Sequence, residues 1–238
     1  MVKIYIINID LPVSAAQYEY WMSCISEEQR NRIDKFHFDE DRRRTLYGDI
    51  LCRRIIGRKT GMAVDEIVFE KNSYGKPYVS GHESIHFNIS HSDKWVVCAV
   101  AEGEVGVDIE KIKEIDLEIA RRFFTPYEYK SIIKQPEDER LRSFYTIWTL
   151  KESYIKQIGK GLSVPLDSFE IVKTGGIYQI AQAGRRLVLR TGNQQGQYIL
   201  SICHESDETF GGIYESGLQG GDFFRRSERS GSALYNCA

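Results

Sequence analysis

The sequence predicts a mixed α/β fold, because short β-rich runs alternate with segments in which apolar residues recur at helical spacing. Its 238 residues suit one large domain or two small domains of about 110 residues each, and either is long enough to bury a core. The composition is globular, with 42% hydrophobic residues, 28% charged residues and a net charge of −2. No global electrostatic field attracts nucleic acid, so any phosphate-binding surface must be local.

The cysteines and the N-terminal segment indicate the compartment in which the protein is expected. The 5 cysteines are scattered and include no C-x-x-C pair, which indicates reduced thiols without a zinc knuckle. Residues 1–11 carry one lysine and a short apolar run, so they predict a first strand and not a secretory signal. No run approaches the roughly 20 apolar residues of a membrane span. We therefore expect a cytoplasmic protein that binds neither nucleic acid nor membrane.

The first hundred residues begin with a strand at residues 2–9 and continue with three helices. Ser14 begins the first helix and Ser26 begins the second, since serine is a common N-cap residue. Three arginines, Arg42 to Arg44, precede the third helix; they are typical of a solvated face, although arginine also binds phosphate through two hydrogen bonds. Further strands are predicted at residues 66–69, 85–89 and 95–100.

The most informative segment is the strand predicted at residues 105–111, with sequence V-G-V-D-I-E-K. Strict alternation places its apolar residues on one face and Asp108 and Glu110 on the other, roughly 7 Å apart. Apolar flanks predict a half-buried central strand and not an edge strand. Neighbouring buried carboxylates need a cation, and two oxygen ligands without a nearby cysteine suit magnesium. A solvated acidic face closed by Lys111 or Lys113 is the alternative.

The C-terminal part of the chain starts with helical spacing at residues 117–124, 126–133 and about 136–159. The long third helix carries Glu152 and Lys156 on one stripe, so a carboxylate and a cation share an otherwise apolar face. An intrahelical pair between the two is the alternative to a site. Beyond this helix, strands are predicted at residues 169–173, 178–181, 186–190 and 198–203.

Two other site chemistries use the same region but are less favoured. His86, His91 and Asp108 would suit an iron or zinc site, yet the nearby basic residues favour a phosphate ligand. A Ser-His-Asp hydrolase triad is also nominally available. However, Ser90 and His91 would point to opposite faces of a strand, and no G-x-S-x-G segment is present.

Four motifs together resemble the signature set of the surfactin-synthetase-activating type of 4′-phosphopantetheinyl transferase. They are Y-G-K-P at 74–77, F-N-I-S-H-S at 87–92, G-V-D-I-E-K at 106–111 and W-T-L-K-E-S-Y-I-K at 148–156. The resemblance covers roughly residues 1–205. It implies a pseudo-dimer of two similar α/β halves, with the active site and coenzyme A in the cleft between them.

The same resemblance divides the chain into three parts. An N-terminal half is expected over residues 1–103. A C-terminal half with the metal site and a carrier-docking segment follows over residues 104–205. Residues 206–238 are expected to form a divergent, poorly ordered tail, because their composition changes to glycine, serine and arginine.

The resemblance also implies the metal and catalytic residues. Asp108, Glu110 and Glu152 are expected to hold Mg²⁺ on the coenzyme A diphosphate, with Glu152 or a metal-bound water as the base. Lys151 and Lys156 are expected to neutralise the diphosphate, as are Ser90 and His91. The expected catalytic residues are thus Glu152, Lys156, His91 and Lys151.

The nucleotide end of coenzyme A is expected in the N-terminal half. By resemblance, His91, Arg32 and Thr45 bind the 3′-phosphate, while the adenine is bordered by Tyr74, Gly75, Lys76 and Pro77. One residue departs from the pattern, because Gln29 stands where a lysine is expected. A weaker 3′-phosphate site would follow from that change.

The implied activity is magnesium-dependent transfer of 4′-phosphopantetheine from coenzyme A to a serine of an apo peptidyl or acyl carrier protein. Release of 3′,5′-ADP would accompany activation of a peptide synthetase or related synthase, in nonribosomal peptide and antibiotic synthesis. The carrier is expected to dock on residues 159–190, and a monomer suffices because two internal halves build the cleft. The alternatives are a non-catalytic coenzyme A or nucleotide-binding module and a magnesium-dependent phosphohydrolase.

Overall fold

The computed structural model describes residues 1–181, 187–205, 207–216 and 224–226. Within them the helices are α1 (Ala15–Cys24), α2 (Glu27–Asp34), α3 (Asp39–Thr60), α4 (Ala120–Phe123), α5 (Pro126–Ile133) and α6 (Glu137–Ile158). None of these helices combines the length and apolar character that a membrane crossing needs. The strands are β1 (Val2–Asn8), β2 (Phe69–Lys71), β3 (Pro77–Val79), β4 (His86–Ser92), β5 (Trp95–Ala101), β6 (Val105–Lys111), β7 (Ile171–Thr174), β8 (Ile177–Ile180), β9 (Leu187–Gln194), β10 (Tyr198–Glu205), β11 (Phe210–Ser216) and β12 (Phe224–Arg226).

Each half of the molecule combines one 22-residue helix with one five-stranded sheet. Helix α3 in the first half and α6 in the second both carry three acidic residues in the first turn, where negative charge complements the helix dipole. Both end at a glycine of positive φ, Gly61 at 81° and Gly159 at 71°, the left-handed conformation that ends many helices. This repetition confirms the predicted mixed α/β fold of two similar halves.

The two sheets differ in how they are assembled. In the first sheet the strand order is β12-β11-β1-β5-β4, and β1 runs parallel to β11 but antiparallel to β5. In the second the order is β6-β10-β9-β8-β7, and every pairing is antiparallel. Strands β2 and β3 form a separate two-stranded hairpin beside the first half.

The sheets share one apolar core, which joins the halves. Alternate residues of β1, including Ile4, pack in that core with Val107 of β6 and Leu200 of β10, and all three are at most 2% exposed. The opposite face of the first sheet packs against α3, where Ile7 joins Leu51 in a second core. Period-two alternation thus divides the apolar residues of β1 between these two cores.

Two predicted elements form differently from the expectation. Residues 117–124 make a 3₁₀ turn followed by the four-residue helix α4. Helix α4 ends before Thr125, because a residue that precedes a proline is disfavoured in the helical conformation. The strand predicted at residues 66–69 lies later, at β2, and Ile67 is instead a buried residue of the α3 core.

The expectation of a poorly ordered tail after residue 205 is wrong for part of that segment. Strand β11 pairs with β1, and Ile213 is 2% exposed within the core between the sheets. The apolar side chain and a free edge of β1 explain this order, because a strand buries both its backbone groups and its side chains there. Residues 206, 217–223 and 227–238 lie outside the described residues.

Candidate active site

Side chains of β4 join the open edge of β6, where the two sheets meet. Asn88 Oδ1 accepts from the Val107 N–H at 2.9 Å, and Ser90 Oγ accepts from the Ile109 N–H at 3.3 Å. Ser92 Oγ repeats the pattern two residues on, accepting from Lys111 N–H at 3.0 Å. These contacts satisfy backbone groups that an edge strand leaves unpaired.

Strand β6 is therefore an edge strand of its sheet, and the prediction of a central strand is wrong. The apolar flanks gave the wrong prediction because side chains of β4 cover this edge, although β4 is not a neighbouring strand in the same sheet. The predicted division of its faces is confirmed: Val105, Val107 and Ile109 enter the core between the sheets. Asp108 and Glu110 face the other way.

The same two serines also orient the acids of β6. Ser90 Oγ donates to Asp108 Oδ1 at 2.7 Å, and Ser92 Oγ donates to Glu110 Oε2 at 2.8 Å. Each hydroxyl thus accepts from the β6 backbone and donates to a β6 carboxylate. The position of both carboxylates is consequently tied to the joint between the halves.

Helix α6 reaches these acids because it packs against β6 at Gly106. A Cβ atom on that glycine would lie 1.9 Å from the carbonyl oxygen of Ser153, so only glycine permits this approach. Lys156 Nζ then lies 2.6 Å from Asp108 Oδ1 and 3.1 Å from Ser90 Oγ. Lys156 thus pairs across the interface with Asp108, in contrast to the alternative of an intrahelical pair with Glu152.

The electrostatics of this group are those of crowded carboxylates. Burial, followed by repulsion from Asp108, raises the pKa of Glu152 above its ordinary value, although Lys156 opposes the shift. Burial and Asp108 likewise raise the pKa of Glu110. The site therefore favours an added positive charge or a bound proton.

A divalent cation fits the oxygen atoms present. Asp108 is 3% exposed, and its Oδ2 is buried without a hydrogen-bond partner, so one carboxylate oxygen is available to a ligand. Among the described residues no three metal-binding side chains form a closed group as they stand. Lys156 forms an ion pair with Asp108, so a cation shared by the three carboxylates would require the lysine to move.

Lys111, which the alternative of a solvated acidic face paired with these acids, instead pairs with Asp93 at 3.0 Å.

A cleft of about 660 Å³ lies in the first half, beside this group of acids. That volume is in the range of cofactor sites. Its walls are formed by some of the residues within the segments 23–32, 44–53, 65–77 and 87–91. The structure brings together here five of the residues predicted to bind coenzyme A: Arg32, Thr45, Gly75, Pro77 and His91.

His91 lies where the cleft and the acids adjoin, one residue from Ser90. The surrounding protein atoms lower the pKa of His91, as do the positive charges of Arg44 and Lys156. Its ring is therefore neutral at pH 7. A bound phosphate would favour protonation of the ring, because an opposite charge stabilises the imidazolium form.

Lys76 and Tyr74 belong to the predicted adenine border but do not line the cleft. Lys76 Nζ donates to Gln157 O at 3.0 Å and pairs with Glu104, so it binds the end of α6. In the same turn Asn72 donates to Gly159 O at 3.0 Å. These bonds fasten the turn at residues 72–77 to the helix that carries Glu152, and we call them the turn–helix latch.

Lys151 is not part of the site, which corrects the expectation that it neutralises the diphosphate. Its side chain is fully buried on another face of α6, and Nζ lies 2.8 Å from Glu128 Oε1. Nζ also donates to the carbonyl oxygens of Leu166 and Phe169 at 2.8 and 2.6 Å. A buried ammonium group needs such partners, and these leave no donor for a ligand.

The two less favoured chemistries are not assembled. His86 Nδ1 lies 3.3 Å from Glu104, so the histidine pairs at the latch and not with His91 and Asp108. Ser90 contacts Asp108 directly, without an intervening histidine. Neither the iron or zinc site nor the hydrolase triad is formed.

Sequence reasoning missed the residues that hold the site in place. Asn88 and Ser92 were not assigned a role, although with Ser90 they recur at a spacing of two on a strand next to the acidic strand. Three small hydrogen-bonding side chains on one strand face were the available signal. Lys71, which also lines the cleft, was missed because β2 approaches the other elements of the wall only in the folded chain.

Comparison with known protein families gives matches over both halves. A family model described as 4′-phosphopantetheinyl transferase, N-terminal, matches residues 12–103. A second, described as the 4′-phosphopantetheinyl transferase superfamily, matches residues 104–203. The two matches adjoin at the segment that connects β5 to β6.

Individual relatives are similar over most of their length. The 4′-phosphopantetheinyl transferase Sfp of Bacillus subtilis (strain 168) is 47% identical over 169 residues, covering 71% of this chain and 75% of that protein. Another 4′-phosphopantetheinyl transferase of Bacillus subtilis is 39% identical over 214 residues, covering 89% and 96%. The 4′-phosphopantetheinyl transferase gsp of Aneurinibacillus migulanus is 39% identical over 173 residues, covering 73% and 72%.

Proposed function

The chain belongs to the 4′-phosphopantetheinyl transferase superfamily and transfers phosphopantetheine from coenzyme A to carrier proteins, and on this premise we propose how its residues carry out the transfer. One observation carries the proposal. Asp108, Glu110, Glu152 and Lys156 meet beside a cleft whose walls hold five residues predicted to bind coenzyme A. A diphosphate at that junction would lie next to both a base and a cation.

The reaction exchanges one phosphorus–oxygen bond for another. The hydroxyl oxygen of a carrier serine attacks the phosphorus that bears the pantetheine group. The bond from that phosphorus to the oxygen of the adenosine phosphate breaks, and 3′,5′-ADP leaves with the bonding electron pair. Positioning and charge stabilisation supply most of the catalysis in phosphoryl transfer, so no covalent enzyme intermediate is required.

Glu152 is the group proposed to accept the serine proton. Its raised pKa, which burial and Asp108 produce, makes the carboxylate more basic than a solvated glutamate. Lys156 is proposed to leave Asp108 and donate to the diphosphate, because its side chain is 27% exposed and can follow the ligand. His91 borders the same position and adds a donor there, while the one hydroxyl proton of Ser90 is donated to Asp108.

Asp108, Glu110 and Glu152 are the residues that would hold Mg²⁺. When bound, Mg²⁺ would supply positive charge that offsets the charge developing on the phosphate oxygens. The unpartnered Asp108 Oδ2 and the raised pKa of both glutamates support this assignment. Departure of Lys156 from Asp108 would open the carboxylate for the cation.

The nucleotide is proposed to occupy the cleft of the first half. Arg32, Thr45 and His91 would bind phosphate there, and the backbone at Gly75 and Pro77 would border the adenine. Lys76 would act indirectly, by holding that backbone through the latch. The assignment is supported by the number of predicted residues that share one cavity.

The partner is proposed to be an apo peptidyl or acyl carrier protein of a nonribosomal peptide synthetase or related synthase, including those that make antibiotics. Residues 159–190 are proposed as its docking segment, of which 182–186 lie outside the described residues. The position of this segment is supported by Lys151, which binds the backbone carbonyl groups of Leu166 and Phe169 to α6.

A monomer is proposed because both halves of the site come from one chain. A cytoplasmic location is proposed because Cys24, Cys52, Cys98 and Cys203 are free.

Intact-mass measurement tests this function most directly. The protein is incubated with coenzyme A, Mg²⁺ and an apo carrier domain, and we expect the carrier to gain one phosphopantetheine group. A carrier whose acceptor serine is replaced by alanine is the control. An unmodified carrier with release of phosphate products would favour the phosphohydrolase, and binding of coenzyme A without any reaction would favour the silent module.

A further inference from the structure

The positive charges that line the cleft are not equally available to a ligand. Arg53 forms a buried ion pair with Asp49. Arg44 pairs with Asp41 at 2.6 Å and donates to a backbone carbonyl at 2.8 Å. Arg30 donates to two backbone carbonyls near the end of α1, at 2.6 and 3.2 Å. These three guanidinium groups are already used by the fold.

Two cations of the cleft wall remain, Arg32 on α2 and Lys71 on β2. Arg32 has no ion-pair or hydrogen-bond partner within the part of the chain that the structure describes. Lys71 Nζ lies 3.0 Å from Glu28 Oε1, and the two side chains are 56% and 80% exposed. An ion pair this exposed contributes little stability, so a doubly charged phosphate can displace Glu28.

Coenzyme A presents phosphate at two places, a diphosphate and a ribose 3′-phosphate. The diphosphate must lie at the reacting end, beside Lys156 and Glu152. The 3′-phosphate is attached to the nucleotide, and so it falls within the cleft of the first half. Gln29, which lines that cleft, offers an amide without charge. A permanent positive charge for the 3′-phosphate, in addition to Arg32 and to His91 in its protonated form, must therefore come from another element.

We propose that Lys71 determines specificity for the 3′-phosphorylated nucleotide, binding the 3′-phosphate together with Arg32. Lys71 directly precedes the turn at residues 72–77, whose Gly75 and Pro77 line the same wall. Glu28 holds the ammonium group at the cleft until the phosphate replaces the carboxylate. This inference rests on the proposed function, because it takes coenzyme A as the occupant of the cleft.

Binding of two nucleotides separates Lys71 from a general electrostatic effect. Dissociation constants for coenzyme A and 3′-dephospho-coenzyme A are measured by titration calorimetry. In Lys71→Met we expect coenzyme A to bind about tenfold more weakly, since a charge-assisted hydrogen bond is lost. Binding of 3′-dephospho-coenzyme A should change less than about twofold, within the range of a weak surface charge. Lys59→Met, an exposed lysine of α3 outside the cleft wall, is the matched control and should bind both ligands as the wild type does.

Glu28→Gln provides the opposite change. Releasing Lys71 from its carboxylate partner should tighten coenzyme A by about two- to threefold, as expected for a surface pair. The gain should be absent from the Glu28→Gln/Lys71→Met double variant, and it should shrink at high salt.

Equal losses for both nucleotides in Lys71→Met, or a gain from Glu28→Gln that persists without Lys71, would overturn the inference. These outcomes leave the proposed function intact if the wild type still modifies a carrier. A wild type that binds both nucleotides but modifies no carrier would overturn the proposed function, while the binding constants still decide the role of Lys71.

Discussion

At the residue scale, single serine hydroxyl groups link the contact between β4 and β6 to the carboxylates of the proposed active site. Ser90 and Ser92 each bind the β6 backbone and a β6 carboxylate. Any displacement of β4 relative to β6 would therefore rotate Asp108 and Glu110. A site of this kind needs its residues held by packed, hydrogen-bonded elements, and the serines meet that need.

Glu152→Gln is expected to lower kcat by about 100-fold or more, because the amide keeps the size of the side chain but cannot accept a proton. Initial rates of carrier modification are measured at rising Mg²⁺ and again with Mn²⁺. Recovery at high metal concentration would reduce the role of Glu152 to that of a metal ligand. Glu139→Gln, an exposed acid on the same helix, should leave the rate unchanged. A near-normal rate in Glu152→Gln would remove this residue from the site.

Lys151→Met is expected to act on stability. Removing one partner of a buried ion pair leaves the other uncompensated, here Glu128, at a cost of about 3–5 kcal/mol. Denaturant unfolding gives the free-energy change. The Lys151→Met/Glu128→Gln double variant should regain part of the loss, since it removes both charges while the amide oxygen can still accept from the Ile171 N–H. A single variant of wild-type stability that transfers nothing would return Lys151 to the catalytic residues.

At the element scale, the turn–helix latch couples the cleft wall to α6. Asn72 Oδ1 accepts from the N–H groups of Tyr74 and Lys76, both at 2.9 Å, while its amide donates to Gly159. Lys76 adds a cation at the helix C-terminus, where the exposed carbonyl groups attract positive charge. The backbone of the turn is therefore positioned by the same helix that positions Glu152 and Lys156.

Glu104→Gln tests the latch through pH. Burial raises the pKa of Glu104, but hydrogen bonds from His86 and Lys76 outweigh it and bring the pKa from 4.5 to about 2. A lowered pKa stabilises the fold above the unfolded value, and that contribution is lost as pH falls from about 4.5 towards 2. Solvent screens this half-exposed group, so we expect only about 1 kcal/mol.

The free energy of unfolding of wild type and Glu104→Gln is measured from pH 7 down to the acid limit of folding. The difference should be largest near neutral pH and should narrow below about 4.5. Glu102→Gln is the control, because Glu102 is a more exposed neighbour whose carboxylate pairs with the Met1 amino group at 3.4 Å. A difference that does not change with pH would show that the charge of Glu104 does not hold the latch.

At the scale of the whole molecule, the two halves are one folding unit. The core between the sheets contains side chains from β1, β5, β6, β10 and β11, so each sheet buries one of its faces against the other sheet. Strand β11 comes from the C-terminal part of the chain but pairs in the first sheet. The chain thus crosses between the halves twice, and loss of either sheet would expose the other.

Ile213→Ala in β11 is expected to cost about 2–4 kcal/mol, the range for truncation of a fully buried large aliphatic side chain. Hydrogen exchange followed at β1 and β10 should show faster opening in both sheets, because they share the core that the substitution disturbs. Val68→Ala, at an exposed position outside the sheets, serves as the control. Faster exchange in the first sheet alone would show that the halves unfold separately.

Sequence patterns alone were enough to predict the fold class and the two-faced strand at residues 105–111. Alternation along a strand and helical spacing are local properties, so the apolar faces of β6 and α6 follow from a few consecutive residues. The four motifs likewise identified the family, and the matches over residues 12–103 and 104–203 confirm it.

Which neighbouring motif residues reach the proposed site depends on tertiary packing. Lys151 and Glu152 are adjacent in sequence, but successive helix positions point about 100° apart. Because α6 packs on β6, Glu152 faces Asp108, whereas Lys151 faces Glu128. The edge position of β6, the order of β11 and the place of Lys71 on the cleft wall depend on contacts between residues far apart in the chain. Such contacts leave no local sequence pattern, because they depend on how distant elements pack and not on the spacing of residues within one element.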